Sequence, residues 1–284
     1  MSEIIGNTLL TGIAGLPLDF SVEILPLQSF TGGEPLLAIP IAVVFLVGLF
    51  GAYLGYGRYQ KGQLIEETET APIGSVTPGR VGISGTVRPV EEPLKTKFTD
   101  DECVYYGYRI TDTIETEKED EDGNTVVSTE TERRGRGSEA VDYYVEDDTG
   151  VALIPSDDGL DYSISSENSD TFRKKRHQPI EDPDFTHGDD YLPSGTKQRS
   201  YKQSYLPVGE EVFVMGRARG APTDENTASV ILQRDEETDT FLASDEGQDG
   251  LAGSFSTSGL LIVLVSLATS AVTLYMLVSD FLLV

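Results

Sequence analysis

The sequence predicts a membrane protein in which two transmembrane α-helices flank a mostly antiparallel β domain, a small barrel of the OB-like kind. Three observations lead there. Two apolar spans lie at 35–57 and 259–280, uncharged except for Asp280 at the far end of the second. Every Lys and Arg falls between them, from Arg58 to Arg234. The stretch they enclose reads as short runs alternating with period two and carries no sustained helical period.

In chain order, residues 1–34 are an extramembrane lead. It contains no base and so lacks the positively charged start of a signal peptide. Ile4, Ile5, Leu9, Ile13 and Leu16 stand near helical spacing, which fits either a helix lying on the membrane surface or a disordered lead. The span at 35–57 suffices for a hydrocarbon layer of about 30 Å. In lipid, a helix is what lets so short a segment satisfy its own backbone. Its small residues Gly48, Gly51, Ala52 and Gly55 permit close helix contact. The contact is either with the second span of the same chain or with another copy, giving a homo-oligomer through Gly48, Gly51 and Gly55.

A polar connector at 58–70 leads into the β domain at 71–249. Val81, Ile83 and Val87 alternate with small or polar residues, and CVYYGYRI at 103–110 is rich in Tyr and branched side chains. The Asp122-Gly123 pair marks a hairpin turn, and Asp148-Thr149-Gly150 marks another between YYVED and VALI. Residues 165–199 are polar and punctuated by Pro and Gly, which predicts a long mobile excursion with a short helix. The runs GEEVFVMGRAR and ASVILQRD complete the strands before the span at 259–280.

The middle stretch, 57–258, holds 43 acids against 21 bases. Such a field opposes nucleic acid and phosphate-rich polyanions as ligands. The acid is dispersed, Arg is preferred to Lys and there is no Trp, a pattern that fits the solvation strategy of a halophilic archaeon. The positive-inside rule places the middle domain in the cytoplasm and both termini outside, a multi-pass arrangement in the cell membrane. Arg58 and Lys61, just after the first span, decide that orientation.

Candidate chemistry reduces to a few features. The Asp148-Thr149-Gly150 triplet matches the aspartic-protease loop, but that chemistry needs two carboxylates sharing a proton, and no second copy exists. Gly79, Gly82 and Gly85 are three apart in a strand-like run, which indicates bulges or close packing rather than a phosphate cradle. Cys103 follows Asp100, Asp101 and Glu102, carboxylates that raise rather than lower a thiol's pKa. With one Cys, and only His177 and His187 as imidazoles, neither a disulfide nor a Cys/His zinc site can form. No catalytic, cofactor-binding or metal-binding residue is expected. Arg173, Lys174, Lys175, Arg176 and His177 form a basic run in an acidic domain. It reads as a solvated, self-paired loop or as a contact with anionic lipid.

Five stretches in this order resemble the GIDE/MULAN membrane-anchored ubiquitin ligases and their membrane-adjacent BAM domain. They are APIGSVTPGRVGISGTV at 71–87, the Cys-Val-Tyr-Tyr-x-Tyr run at 103–108, YYVEDDTGVALIPSDD at 143–158, YLPVGEEVFVMGRAR at 205–219 and TFLASDEGQDGLAGS at 240–254. The resemblance implies a β domain between two membrane helices. It also implies E3 activity, which in that family belongs to a zinc RING beyond the second helix. One Cys cannot build a RING, and the sequence stops at Val284. The expected role is therefore non-catalytic display of the domain to other membrane proteins, with the lipid bilayer as the other partner. The alternative is an E3-like protein acting with a RING supplied in trans.

Overall fold

The computed structural model describes residues 35–119, 125–156, 159–178, 192–220 and 228–281, together with 180, 182–186 and 188. They fall into two compact units, one within Met1–Glu67 and Gly250–Val284, the other within Thr68–Asp249. The predicted lead at 1–34, the Asp122-Gly123 turn and His187 lie outside the described residues.

The first unit is a pair of helices, α1 (Pro35–Glu67) and α2 (Gly247–Phe281). Both are long and apolar enough to cross a membrane. At 33 and 35 residues each extends about 50 Å, well beyond the roughly 30 Å of a bilayer core. The excess is polar: 58–67 continues α1 through what reads as a connector, and α2 begins twelve residues before the apolar span. Outward-facing Val43, Val47, Phe50, Tyr53 and Leu54 on α1, and Leu261, Leu264, Val265 and Val272 on α2, stay exposed. In water this would be a liability; in lipid it is the expected surface.

Among the described residues the second unit has twelve strands and a 3₁₀ turn at Ile73–Ser75. The strands are β1 (Gly79–Pro89), β2 (Leu94–Lys95), β3 (Glu102–Glu119), β4 (Thr125–Ala140), β5 (Tyr143–Asp147) and β6 (Gly150–Ile154). They continue as β7 (Asp161–Ser163), β8 (Ser169–Lys175), β9 (Thr196–Pro207), β10 (Glu211–Gly220), β11 (Val230–Gln233) and β12 (Leu242–Ser244). Five of them close a ring. β1 pairs with β5, β5 with β6, β11 with β10 and β10 with β1, all antiparallel. The β6–β11 pairing is parallel. β12 extends β10, and β7 lies parallel to β12. This is the small OB-like barrel that the alternating runs predict. Its interior is filled by Val81, Ile83, Val87, Val145, Ile154, Val212, Val214, Leu232 and their neighbours.

A second sheet grows out of two insertions in the ring. β2, β3 and β4 lie between β1 and β5, and β8 and β9 between β6 and β10. The order across it is β4-β3-β9-β8, with β2 against the start of β3. One face packs a separate aromatic core of Phe98, Phe172 and Tyr201, with Tyr108 and Phe185 against it. Phe98 meets Tyr201 edge-on at 5.2 Å between ring centroids. β8 and the start of β9 therefore occupy part of the stretch read as a loop at 165–199, and no helix forms there among the described residues. Polar and charged side chains at 169–175 hide the strand's alternation, because only Phe172 is an apolar member of its buried face.

Candidate interaction surface

The groups that suggest chemistry in the sequence are built into the fold as structure. Cys103, on β3, is wholly buried. Burial, with Asp101 nearby, pushes its thiol up to about 12, so no thiolate is present near neutrality. The Asp148-Thr149-Gly150 triplet is the turn between β5 and β6. The carboxylate that matters there is the preceding one. Asp147 accepts hydrogen bonds from the N–H groups of Ile73 (2.9 Å), Thr149 (2.7 Å) and Gly150 (2.8 Å), and from the Thr149 hydroxyl (2.7 Å). Burial pushes the Asp147 carboxyl up, but these donors outweigh it and hold it below the usual range. It pins the 3₁₀ turn to the barrel instead of sharing a proton. Asp148 is exposed.

Two of the three glycines of β1, Gly82 and Gly85, answer to close packing, and Gly79 answers to its backbone conformation. A Cβ on Gly82 would sit 2.6 Å from the Phe213 ring, and one on Gly85 would sit 2.5 Å from the Glu146 carbonyl oxygen. Gly79 has φ +144°, which other residues rarely adopt. Among the described residues no three His, Cys, Asp or Glu side chains are grouped to hold a metal. The barrel surface bears two open depressions of about 470 and about 390 Å³ around Ser84, Asp147 and Asp148. Both are shallow, and the larger has Glu146 and Glu211 at its rim.

A charged cluster absent from the sequence reading lies in the second sheet. Asp112 on β3 is fully buried and faces Arg199 on β9, its register partner. Arg199 donates from Nε to Oδ1 at 2.6 Å and from Nη2 to Oδ2 at 2.9 Å. Arg134 on β4 adds a bond to Oδ2 at 3.0 Å. Burial acts to raise the Asp112 pKa, yet the two guanidinium groups hold it below the ordinary value. The signal was present in the alternation, since Asp112 falls on the same side of β3 as Ile110 and Ile114.

The basic run at 173–177 is not a single patch. Arg173 and Lys175 are exposed on one side of β8, while Lys174 shares the other side with buried Phe172. Arg176 donates to the Pro193 carbonyl at 3.0 Å, and His177 turns the chain with φ 63°. On the helices, Gly48, Gly51 and Gly55 all face α2 of the same chain. A Cβ on Gly51 would lie 2.6 Å from Ser266 Oγ, and one on Gly55 would lie 2.8 Å from Ile262. Gly48 meets Ser270 in the same manner.

No curated protein and no solved structure matches the chain. The GIDE family model, described as E3 Ubiquitin ligase, matches residues 113–278. That range runs from the middle of β3 through β12 and into α2, and it takes in more than half of the 284 residues. The chain belongs to the GIDE family.

Proposed function

We propose that this chain is a non-catalytic membrane protein that presents its GIDE domain for interaction with other membrane proteins. One observation carries the reading: the β unit runs without a linker into an apolar helix at each end, α1 ending at Glu67 and α2 starting at Gly247. Two tethers hold such a domain at the bilayer. Both it and a membrane partner are then confined to a thin layer, which raises their effective concentration. The family label names a ligase, but one Cys and two His among 284 residues cannot supply the zinc ligands of a RING. Within this chain the work is therefore assigned to binding. The domain faces the cytoplasm, and its dispersed acid suits a salt-rich interior such as that of a halophilic archaeon.

The second reading, favoured by the family label alone, is an E3-like subunit whose RING comes from another chain. The full chain reconstituted in nanodiscs separates the two. On the first reading it neither binds zinc in stoichiometric amount nor discharges a ubiquitin-loaded E2. Photo-crosslinkers on exposed barrel positions such as Asp148 then capture membrane proteins in native membranes. Discharge by the chain alone would overturn the non-catalytic assignment. Discharge that appears only when a captured RING protein is added would move the assignment to the second reading.

A further inference from the structure

Fourteen of the 21 bases lie on or beside the second sheet, and the strand register shows how they are arranged. Directly paired residues share a face of a sheet. Across β8, β9, β3 and β4, one row reads Thr171, Lys202, Arg109, Arg136. The next reads Arg173, Ser200, Thr111, Arg133, and the one after it Lys175, Gln198, Thr113, Thr131. On the other side of the first row stand Ser169, Ser204, Gly107 and Ser138. The face thus contains six cations, set among hydroxyls, one amide and one glycine. These rows contribute no carboxylate, no aromatic ring and no aliphatic side chain of their own; the Tyr105 hydroxyl, from the row beyond, lies against Gly107. All six cations are exposed. Among the described residues none of the six is ion-paired. The carboxylates of the same strands either turn to the opposite face, as Asp112, Glu132 and Asp170 do, or lie beyond these rows.

This arrangement has a cost that the fold does not require. Like charges directly opposite one another on a sheet are destabilising, and Lys202, Arg109 and Arg136 are three consecutive neighbours in one row. In a chain of net charge −27, acids to neutralise them are plentiful, yet none occupies these rows. We propose that this cationic face of the second sheet docks on the phosphate headgroups of an anionic lipid surface.

Three features select that occupant. The cations are spaced about 5 Å across strands and about 7 Å along them on a broad sheet, a spacing that meets a plane of phosphates. The four Arg of the face stand exposed on an open sheet, whereas the Trp, Tyr and Arg of protein hot spots sit in packed, fully desolvated pockets. The Tyr105 ring at the margin of the face is half-buried and already stacked on Tyr162 at 3.7 Å between centroids, so it is not offered to a nucleic-acid base. The apolar helices at both ends of the domain supply the proximity that a modest electrostatic attraction needs. The repulsion expected from the acidic remainder is screened within about 10 Å at 0.1 M salt, whereas the face acts at contact.

The test uses the full chain in nanodiscs of phosphatidylcholine alone and of phosphatidylcholine with phosphatidylglycerol. The readout is the rate at which an amine-acylating reagent modifies each lysine, followed by mass spectrometry. Lys97, which lies over the Tyr108 ring on the opposite face, is the internal reference. At about 0.1 M salt, acylation of Lys175 and Lys202 slows at least about fivefold in the anionic discs, with Lys97 unchanged. At about 1 M salt, where the screening length falls to about 3 Å, the protection disappears. Equal rates in the two discs overturn the proposal. So does protection in phosphatidylcholine discs by added duplex DNA or polyglutamate that matches the effect of phosphatidylglycerol, which would hand the face to a nucleic acid or an acidic protein.

Discussion

Asp112 is the residue on which the second sheet is most exposed to a single change. Its carboxylate is out of water and is held there by Arg199 and Arg134. Breaking a buried pair leaves an uncompensated charge and costs about 3–5 kcal/mol, whereas replacing both partners by apolar residues is often neutral. Arg199→Met is accordingly expected to lower the unfolding midpoint of the full chain by about 10 °C. The Asp112→Leu/Arg199→Met pair recovers most of it. Thermal unfolding followed by circular dichroism checks both. The pH dependence follows from the sign of the shifts. Asp235 is also buried, and accepts bonds from Arg217 Nε at 2.8 Å and the Thr238 hydroxyl at 2.9 Å. Burial acts to raise the pKa of Asp112, Asp147 and Asp235, but their donors outweigh it, and all three have folded values below their ordinary ones. Such groups contribute stability that is fully present above the unfolded value, near 3.9, and lost as pH falls through the folded one. Stability measured by denaturant should therefore stay level from pH 7 to about pH 5 and fall below about pH 4. A midpoint unchanged down to about pH 3 would mean that these carboxylates are not held as described.

At the scale of the element, the helix pair makes the sharpest claim, because its glycines are filled by the partner helix. A Cβ on Gly51 would stand 3.4 Å from that of Ser266, close to the separation a disulfide spans. Gly51→Cys with Ser266→Cys should oxidise to a crosslink within one chain and keep the monomer's mobility on non-reducing gels. Gly51→Cys alone should give no dimer. A strong dimer from the single variant would assign the small-residue face to a second copy. Both helices and most barrel strands were legible in the sequence, since 35–57 is continuously apolar and Val81, Ile83 and Val87 alternate cleanly. The helical stretches 58–67 and 247–258 were not, because their polar composition resembles a connector. What fixes them is pairing: Arg58 donates to Ser258 Oγ at 2.8 Å and lies over the Phe255 ring, and Gly62 closes on Ala252 and Ser256. β8 is illegible in the sequence for a related reason. Its buried face shows one apolar residue, and the remaining positions are read correctly only when β9 is beside them. The cationic face has the same origin, for Arg109, Arg136, Arg173 and Lys202 are far apart in sequence and are joined only by register.

For the whole molecule, the decisive question is which side of the bilayer holds the domain. The two bases nearest an apolar span are Arg58 and Lys61, both on the last turns of α1, and residues 1–34 contain none. Acids count for little in the positive-inside rule, so the acidic approach to α2 does not oppose the assignment. Crossing in the other sense would require Arg58 and Lys61 to be translocated along with the domain. A cytoplasmic domain is therefore expected. The native thiol cannot report on this, since Cys103 is buried and its pKa is pushed up to about 12. Glu92→Cys places a thiol on an exposed bend between β1 and β2, away from the cationic face. A membrane-impermeant maleimide should label this variant only after the cells are opened, whereas the wild-type chain should stay unlabelled until it is denatured. Labelling of the variant in sealed cells would invert the topology, and with it the leaflet that the cationic face meets.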